Sequence, residues 1–143
     1  MIRAVIDLNV IISGLIVPRG FAYHVWSAWL AGRFTLFISE GMILELVGKL
    51  AEKRISERYG ITPQEIHYIN SLLRGHGSLV AVPDDAITPV TGDPEDDLVL
   101  ASARLARAEY LVTRDQKLLD LSQHGGVTIV TPQHFLPLLP RDQ

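Results

Sequence analysis

The sequence predicts an α/β fold with a mostly parallel sheet, and three observations carry that prediction. Short β-branched runs such as residues 2–7 alternate with longer segments whose apolar residues recur at helical spacing. Helix start signals separate them; Thr62-Pro63-Gln64-Glu65 combines a capping threonine, a first-turn proline and a glutamate three residues on. Strands that alternate with helices are joined by crossovers, and crossovers connect parallel strands.

Each element follows from local patterns. A loop containing Gly14, Pro18 and Gly20 is expected after the first strand, and Gly32 is expected to end the helix that follows it. Ser39 is a candidate N-cap. The expected strands are 2–7, 34–38, 79–82, 110–113 and 127–130; the expected helices are 22–31, 39 to about 58 with a break near Gly48, one from Thr62, 95–107, a short one from Asp115 and a short apolar tail helix.

Length and composition narrow the class of protein. The chain has 143 residues, of which 48% are hydrophobic, so we predict a single domain over residues 1–143 with its own core. It has no cysteine, which excludes disulfides, thiolate zinc sites and a cysteine nucleophile. The longest early apolar stretch, 10–17, is interrupted and too short to span a bilayer, and no signal-peptide pattern is present. We therefore expect a cytoplasmic protein without a membrane partner.

The formal net charge of −3 argues against passive binding of nucleic acid by a basic surface. It does not exclude a nuclease, because an enzyme that cuts a polyanion with bound metal uses acidic residues to hold the cations.

Carboxylates stand where parallel strands are expected to end. Asp7 closes the first strand, and Asp115 follows the strand 110–113. Asp96 and Asp97 lie in the first turn of the helix that leads into that strand. An open parallel sheet places its chemistry just beyond the carboxyl ends of its strands. Acids in a first helical turn also complement the helix dipole, so this simpler role stays open for Asp96 and Asp97.

Glu45, in the helix that starts at Ser39, is the fourth candidate. Its simpler interpretation is an exposed glutamate paired with Lys49 one turn on. If the four acids meet, they repel one another when ionised, and a divalent cation relieves that repulsion. Hard oxygen ligands suit Mg²⁺ or Mn²⁺ rather than zinc or copper. Such ions activate water toward a phosphate, so no covalent enzyme intermediate is expected.

The four acidic motifs in order resemble the PIN-domain family, and most closely the branch of toxin components of toxin–antitoxin pairs. The resemblance covers residues 2 to 120. It is carried by Asp7-Leu8-Asn9-Val10, the segment from Ser39 to Glu45-Leu46, Asp93-Pro94-Glu95-Asp96-Asp97, and Val112-Thr113-Arg114-Asp115.

The resemblance implies a Rossmann-like three-layer sandwich and a Mg²⁺- or Mn²⁺-dependent endoribonuclease active on single-stranded RNA, leaving a 5′-phosphate and a 3′-hydroxyl. It also implies a homodimer and an inhibitory antitoxin. By position, the metal ligands it implies are Asp7, Glu45 and Asp115, with one acid from the pair Asp96 and Asp97, and the supporting residues are Asn9, Ser13 and Thr113.

Helical geometry separates the two adjacent acids. The positions that share the face of Asp96 are Val99, Leu100 and Ala103, all apolar. The face of Asp97 includes Arg104 and is expected to turn toward solvent. We therefore predict Asp96 as the third ligand and Asp97 as a supporting or second-metal ligand, with Asp93 as a loop or cap residue.

Basic residues near Glu45 are candidates for RNA binding. Lys49 and Lys53 follow Glu45 at i+4 and i+8, so they are expected to rise along one helix face from the site. As phosphate contacts they would add salt-dependent affinity without sequence preference. A solvated basic face is the alternative.

Two other functions compete with the nuclease. A Rossmann-like phosphatase would need a second aspartate two residues after Asp7, where Asn9 stands. A PIN-like RNA- or protein-binding module without turnover would keep the fold and lose metal ligands, whereas all the acidic positions are present here.

Overall fold

The computed structural model describes residues 1–141, which form six strands, eight α-helices and two short 3-10 helices, Asp84–Ala86 and Leu136–Leu138. The predicted domain end at Gln143 lies outside these residues. The strands are β1 (Arg3–Ile6), β2 (Thr35–Ser39), β3 (Ser78–Val80), β4 (Tyr110–Val112), β5 (Gln123–His124) and β6 (Val127–Val130). The helices are α1 (Leu8–Ile16), α2 (Phe21–Leu30), α3 (Glu40–Ala51), α4 (Lys53–Tyr59), α5 (Pro63–His76), α6 (Pro94–Leu105), α7 (Gln116–Leu119) and α8 (Pro132–Phe135).

The strands form one sheet in the order β3-β2-β1-β4-β6-β5, and only β5 runs antiparallel to its neighbour. From β1 the chain adds strands in one direction, and it then returns to add β4 and β6 on the other side of β1. Because crossovers between parallel strands are right-handed, this reversal puts α6 on the opposite face from α1 and α2. The mostly parallel α/β fold expected from the sequence is confirmed.

The core lies on both sides of the central strands. Val5 in β1 and Leu111 in the neighbouring β4 are fully buried, and Leu36 in β2 is almost fully buried. Helices α1 and α2 cover Ile6 and Leu36 with a continuous apolar surface that includes Trp29. This rigid centre fixes the ends of β1 and β4 relative to one another.

Several capping signals act as expected. The Ser39 hydroxyl accepts a hydrogen bond from the Met42 amide at 3.3 Å and starts α3. Thr62 and Glu65 form a reciprocal capping box at the start of α5. Gly32 adopts a positive φ of 75° just beyond α2, the left-handed conformation that suits a glycine at a helix end.

Two expectations about elements are wrong, and one strand was missed. Residues 8–16 form helix α1 rather than a loop. The expected helix from Ser39 to residue 58 is interrupted at Glu52, whose ψ of 135° is extended, and not at Gly48. Strand β5 was not anticipated.

Among residues 1–141, no single helix is long and apolar enough to cross a bilayer. Helices α1 and α2 reach the required length and composition only as a pair, and they are bent by 92° relative to each other.

Candidate active site

The switch in strand order between β1 and β4 brings Asp7 and Asp115 to the same edge of the sheet. Asp7 follows β1 directly, and its amide donates to the Val112 carbonyl of β4 at 2.9 Å. The Asp7 side chain is only 2% exposed. A carboxylate in such a position is costly unless its oxygens have partners.

Thr113 connects the two aspartates. Its buried hydroxyl donates to Asp7 Oδ2 at 2.7 Å and accepts from the Asp115 amide at 3.0 Å. Asp115 Oδ1 in turn accepts from the Lys117 amide at 3.0 Å and caps α7. One hydroxyl therefore fixes the position of Asp7 relative to the loop that carries Asp115, a supporting contact of the kind expected for Thr113.

Asp96 comes to the same place from α6. Its side chain is buried, and its pKa is raised to about 7 by burial, by a hydrogen bond with Asp115, and by repulsion from Asp115, Asp93 and Asp7. Burial also raises the pKa of Asp7, with repulsion from Glu95 and Asp115 adding to it and the Thr113 hydrogen bond opposing it. These mutual effects place Asp7, Asp96 and Asp115 within electrostatic reach of one another.

Two oxygens in this group have no hydrogen-bond partner among the described residues. They are Asp7 Oδ1 and Asp96 Oδ2, and both are fully shielded from solvent. The nearest cation to Asp96 Oδ2 is Lys117 Nζ, at 4.0 Å, beyond hydrogen-bond distance. A buried carboxylate oxygen without a partner is costly, and a bound cation would offset that cost; hard oxygen ligands of this kind suit Mg²⁺ or Mn²⁺.

Asp97 is buried as well, so the expectation that its face turns toward solvent is wrong. Its Oδ1 accepts three hydrogen bonds, from the amides of Val90 and Thr91 and from the Thr91 hydroxyl. Burial acts to raise the pKa of Asp97, but these hydrogen bonds outweigh it and hold the pKa below its usual value. Asp97 thus fastens the loop before α6, while its role as a metal ligand stays a prediction. Asp93 caps α6, as expected.

Glu45 lies on α3 with an exposed side chain. Its carboxylate forms no hydrogen bond or ion pair with any other residue in the part of the chain that is described. The simpler interpretation, an ion pair with Lys49, is wrong, because Lys49 pairs elsewhere. The structure therefore does not join Glu45 to the three aspartates, and its role as a ligand stays a prediction.

Glu95 is a component of the site that the sequence did not indicate. Its carboxylate binds Lys49 Nζ, with distances of 2.6 Å to Oε1 and 2.8 Å to Oε2, and the same nitrogen lies 3.5 Å from Asn9 Oδ1. Both side chains are about four-fifths buried, with 21% and 19% exposed. This pair ties α3 to α6 beside Asp7. Only the position of Glu95 next to Asp96 could have suggested it.

The remaining candidates lie further out. Ser13 Oγ accepts from Arg114 Nη2 at 3.4 Å and forms no hydrogen bond with the aspartates in the described part of the chain. Lys53 is exposed and begins α4, so it does not continue the helix face of Lys49. Both roles stay predictions.

The candidate site fits a divalent metal in part. Within residues 1–141, no three histidine, aspartate or glutamate side chains stand arranged as a complete metal site. The two unpartnered oxygens of Asp7 and Asp96, with Asp115 beside them, supply part of an oxygen ligand set. On α3, Glu40 pairs with Arg74 and Glu45 has no partner within residues 1–141, so Glu45 is the candidate for the rest.

Comparisons with known proteins agree with this geometry. The structure is similar to a chain in the crystal structure of FitAcB from Neisseria gonorrhoeae, with a TM-score of 0.55 and 17% sequence identity over 92% of this chain and 99% of that one. At this identity the likeness shows the fold alone. No curated protein sequence matches the chain significantly.

The sequence also matches the model of the PIN domain (PIN_3) over residues 3–117, a span that contains all the acidic motifs and every residue of the site described above. PIN domains are generally nucleases, which leaves the phosphatase alternative without support. The chain therefore belongs to the PIN domain family.

Proposed function

We propose that this protein is a Mg²⁺- or Mn²⁺-dependent endoribonuclease that cuts single-stranded RNA in the cytoplasm. The observation that carries the proposal is the pair of buried, unpartnered oxygens, Asp7 Oδ1 and Asp96 Oδ2, beside Asp115 at the strand-order switch. Carboxylates that raise one another's pKa are typical of functional sites. Their cost to the fold is offset when a cation binds them.

The residues divide the work as follows. Asp7, Asp96 and Asp115 would hold the metal, and Glu45 would complete the ligand set from α3. When bound, the ion lowers the pKa of water and stabilises the negative charge that develops on the phosphate. Thr113 keeps Asp7 and Asp115 in register through its two hydrogen bonds. Lys49, held by Glu95 and near Asn9, presents an ammonium group that can contact a phosphate of the RNA.

Replacement of single acids tests the mechanism. Asp7→Asn and Asp115→Asn should each lower the rate of RNA cleavage with Mn²⁺ at least about a hundredfold, because each removes a charged ligand while keeping the side-chain shape. EDTA should abolish cleavage by the unaltered protein. Asp85→Asn, a change at an exposed acid outside the acidic motifs, is the matched control and should leave the rate unchanged. Cleavage that persists in EDTA, or in both site variants, contradicts the proposal.

A second candidate function is an RNA- or protein-binding module without turnover. The exposed position of Glu45 favours it, as does the lack of a complete three-residue metal site within residues 1–141. The two functions differ in thermal stability. A metal-dependent enzyme should gain about 2–3 kcal/mol of stability at an Mn²⁺ concentration a hundred times its Kd, whereas the module should show no shift in Tm with any divalent ion.

We further propose that the protein is the toxin of a toxin–antitoxin pair, that it forms a homodimer, and that an inhibitory protein partner binds it. An apolar groove of about 210 Å³ between α1, α2 and α5 supports a protein partner, since Leu30 and Tyr68 stand exposed at 55% and 64% along it. Light scattering after size-exclusion chromatography tests the dimer. A monomer at micromolar concentration would contradict it.

A further inference from the structure

A second groove opens beside Arg114, where β4 and β6 end. It has a volume of about 730 Å³ and is lined by Ser13, Arg19, Phe21, Arg114, Thr131 and Gln133. Arg114 stands directly before Asp115 in the chain, and Thr131 follows β6, the neighbour of β4. The groove therefore continues the same edge of the sheet that carries the aspartates.

Two guanidinium groups in this groove have no carboxylate partner within residues 1–141. Arg114 contacts only the Ser13 hydroxyl, at 3.4 Å, and Arg19 is exposed without an ion pair. In a chain whose net charge is −3, two unpaired arginines at one groove are a local positive site. Guanidinium groups bind phosphate oxygens with two donors at once, so a phosphate diester suits this site.

An aromatic ring stands beside these cations. Phe21 begins α2 and is 51% exposed, although an apolar ring of this size gains by burial. No aromatic ring pairs with it among the described residues. Exposed aromatic side chains next to arginines are the combination that binds single-stranded nucleic acid, because every base offers a face for stacking.

We propose that this groove binds a nucleotide of single-stranded RNA adjacent to the one being cut, with its phosphate on Arg114 and Arg19 and its base stacked on Phe21. The inference rests on the proposed function, because it places this nucleotide next to Asp115. It assigns three further residues, Arg19, Phe21 and Arg114, to substrate binding. It also explains how an acidic protein holds a polyanion, because two arginines without a carboxylate partner in residues 1–141 line one groove.

Binding is measured by fluorescence anisotropy with a labelled single-stranded RNA of about ten nucleotides, in EDTA so that no cleavage occurs. Phe21→Ala should raise the Kd about tenfold, and Phe21→Tyr should restore most of the affinity because it keeps a ring. Arg114→Gln and Arg19→Gln should each lower the slope of log Kd against log salt concentration by about 0.7.

The matched controls are Tyr59→Ala and Arg58→Gln, which change an aromatic residue and an arginine stacked on it at 5.4 Å on α4. These should leave the Kd unchanged. The altered side chains are exposed, so each variant should keep the Tm of the unaltered protein. Melting curves check this and exclude unfolding as the cause of a lost affinity. A labelled DNA of the same sequence shows whether the site distinguishes the sugar.

The outcomes separate this inference from the proposed function. If the groove variants bind RNA as tightly as the unaltered protein while Asp115→Asn abolishes cleavage, the groove does not bind RNA. The proposed nuclease activity is then unaffected. If the groove variants lose RNA affinity and the unaltered protein does not cut RNA with Mn²⁺, the groove binds RNA and the proposed nuclease activity is wrong. Equal losses in the Tyr59 and Arg58 controls, or no RNA binding by the unaltered protein, overturn the groove.

Discussion

At the Asp7 and Asp96 carboxylates, burial and the lack of a hydrogen-bond partner for one oxygen both lower the stability of the folded protein. Each side chain is almost completely shielded, and each keeps one oxygen without a hydrogen bond. In a protein selected only for stability, apolar residues of similar size would pack these positions at lower cost. The retained acids are therefore best explained by what they bind.

The Lys49–Glu95 pair gives this site an internal cation, which yields a prediction about metal affinity. Lys49→Met removes a positive charge beside Asp7 and frees the Glu95 carboxylate. We expect the Mn²⁺ Kd, measured by titration calorimetry, to fall about threefold or more, because repulsion between the ammonium and the metal disappears. Lys53→Met is the control, since Lys53 is exposed and unpaired within residues 1–141, and it should leave the Kd unchanged. Equal Kd values for all three proteins would contradict the prediction.

Residue-level prediction from the sequence worked where a side chain follows a strand. The position of Asp7 and Asp115 at one edge required only the strand ends and a parallel sheet. It failed for Asp97, because the loop 90–93 folds back over the first turn of α6 and covers a face that helical periodicity assigns to solvent. It also missed Glu95, because its partner Lys49 is 46 residues away.

At the scale of elements, α1 sets the position of Asp7, which stands at its N-cap. Its approach to α2 depends on Gly14: a Cβ there would lie 2.8 Å from the Ala22 carbonyl oxygen and 3.2 Å from Trp26 Cβ. Gly14 was interpreted as a loop residue, together with Pro18 and Gly20. In a β-branched apolar run, a glycine that permits close helix packing cannot be distinguished locally from one that ends a helix.

This contact predicts opposite effects for two helical glycines. Gly14→Ala should lower stability by about 1–3 kcal/mol, because its Cβ meets backbone that cannot move without separating α1 from α2. Gly48→Ala should raise stability by up to about 1 kcal/mol, because nothing lies within 4 Å of its Cβ and alanine favours the helix. Urea unfolding measures both. A Gly14→Ala protein as stable as the unaltered one would show that α1 does not pack closely on α2.

At the scale of the molecule, the alternation of strands and helices was sufficient to predict a mostly parallel sheet. It was not sufficient to predict the order of the strands in that sheet. The order depends on which side of β1 the later strands join, which no local pattern records. That order positions the proposed site, because it creates the switch between β1 and β4 where Asp7, Asp96 and Asp115 meet. Chain length alone likewise could not show that α3 ends at Ala51 and α4 begins anew.

The stability of the whole fold should depend on pH through the raised carboxyl pKa values. Asp96 has a pKa of about 7, chiefly through burial and the nearby Asp115, and burial raises the pKa of Asp7. In the unfolded chain both groups titrate near pH 4. Between about pH 4 and 7 the folded protein therefore holds protons that the unfolded chain has released, so the free energy of unfolding falls as pH rises through this window. The pKa values of Asp97 and Glu40 are lowered, so these two groups change the free energy of unfolding only below this pH window.

We therefore expect the Tm of the metal-free protein to be roughly 5 °C lower at pH 8 than at pH 5. Asp96→Asn should remove much of this difference and have the higher Tm at pH 8, because it eliminates a buried charge. Mn²⁺ should oppose the trend in the unaltered protein, since a metal binds the deprotonated carboxylates and stabilises the folded state more as pH rises. Differential scanning calorimetry with and without EDTA measures all three effects. A metal-free Tm that increases from pH 5 to pH 8 would show that the three aspartates do not share one buried site.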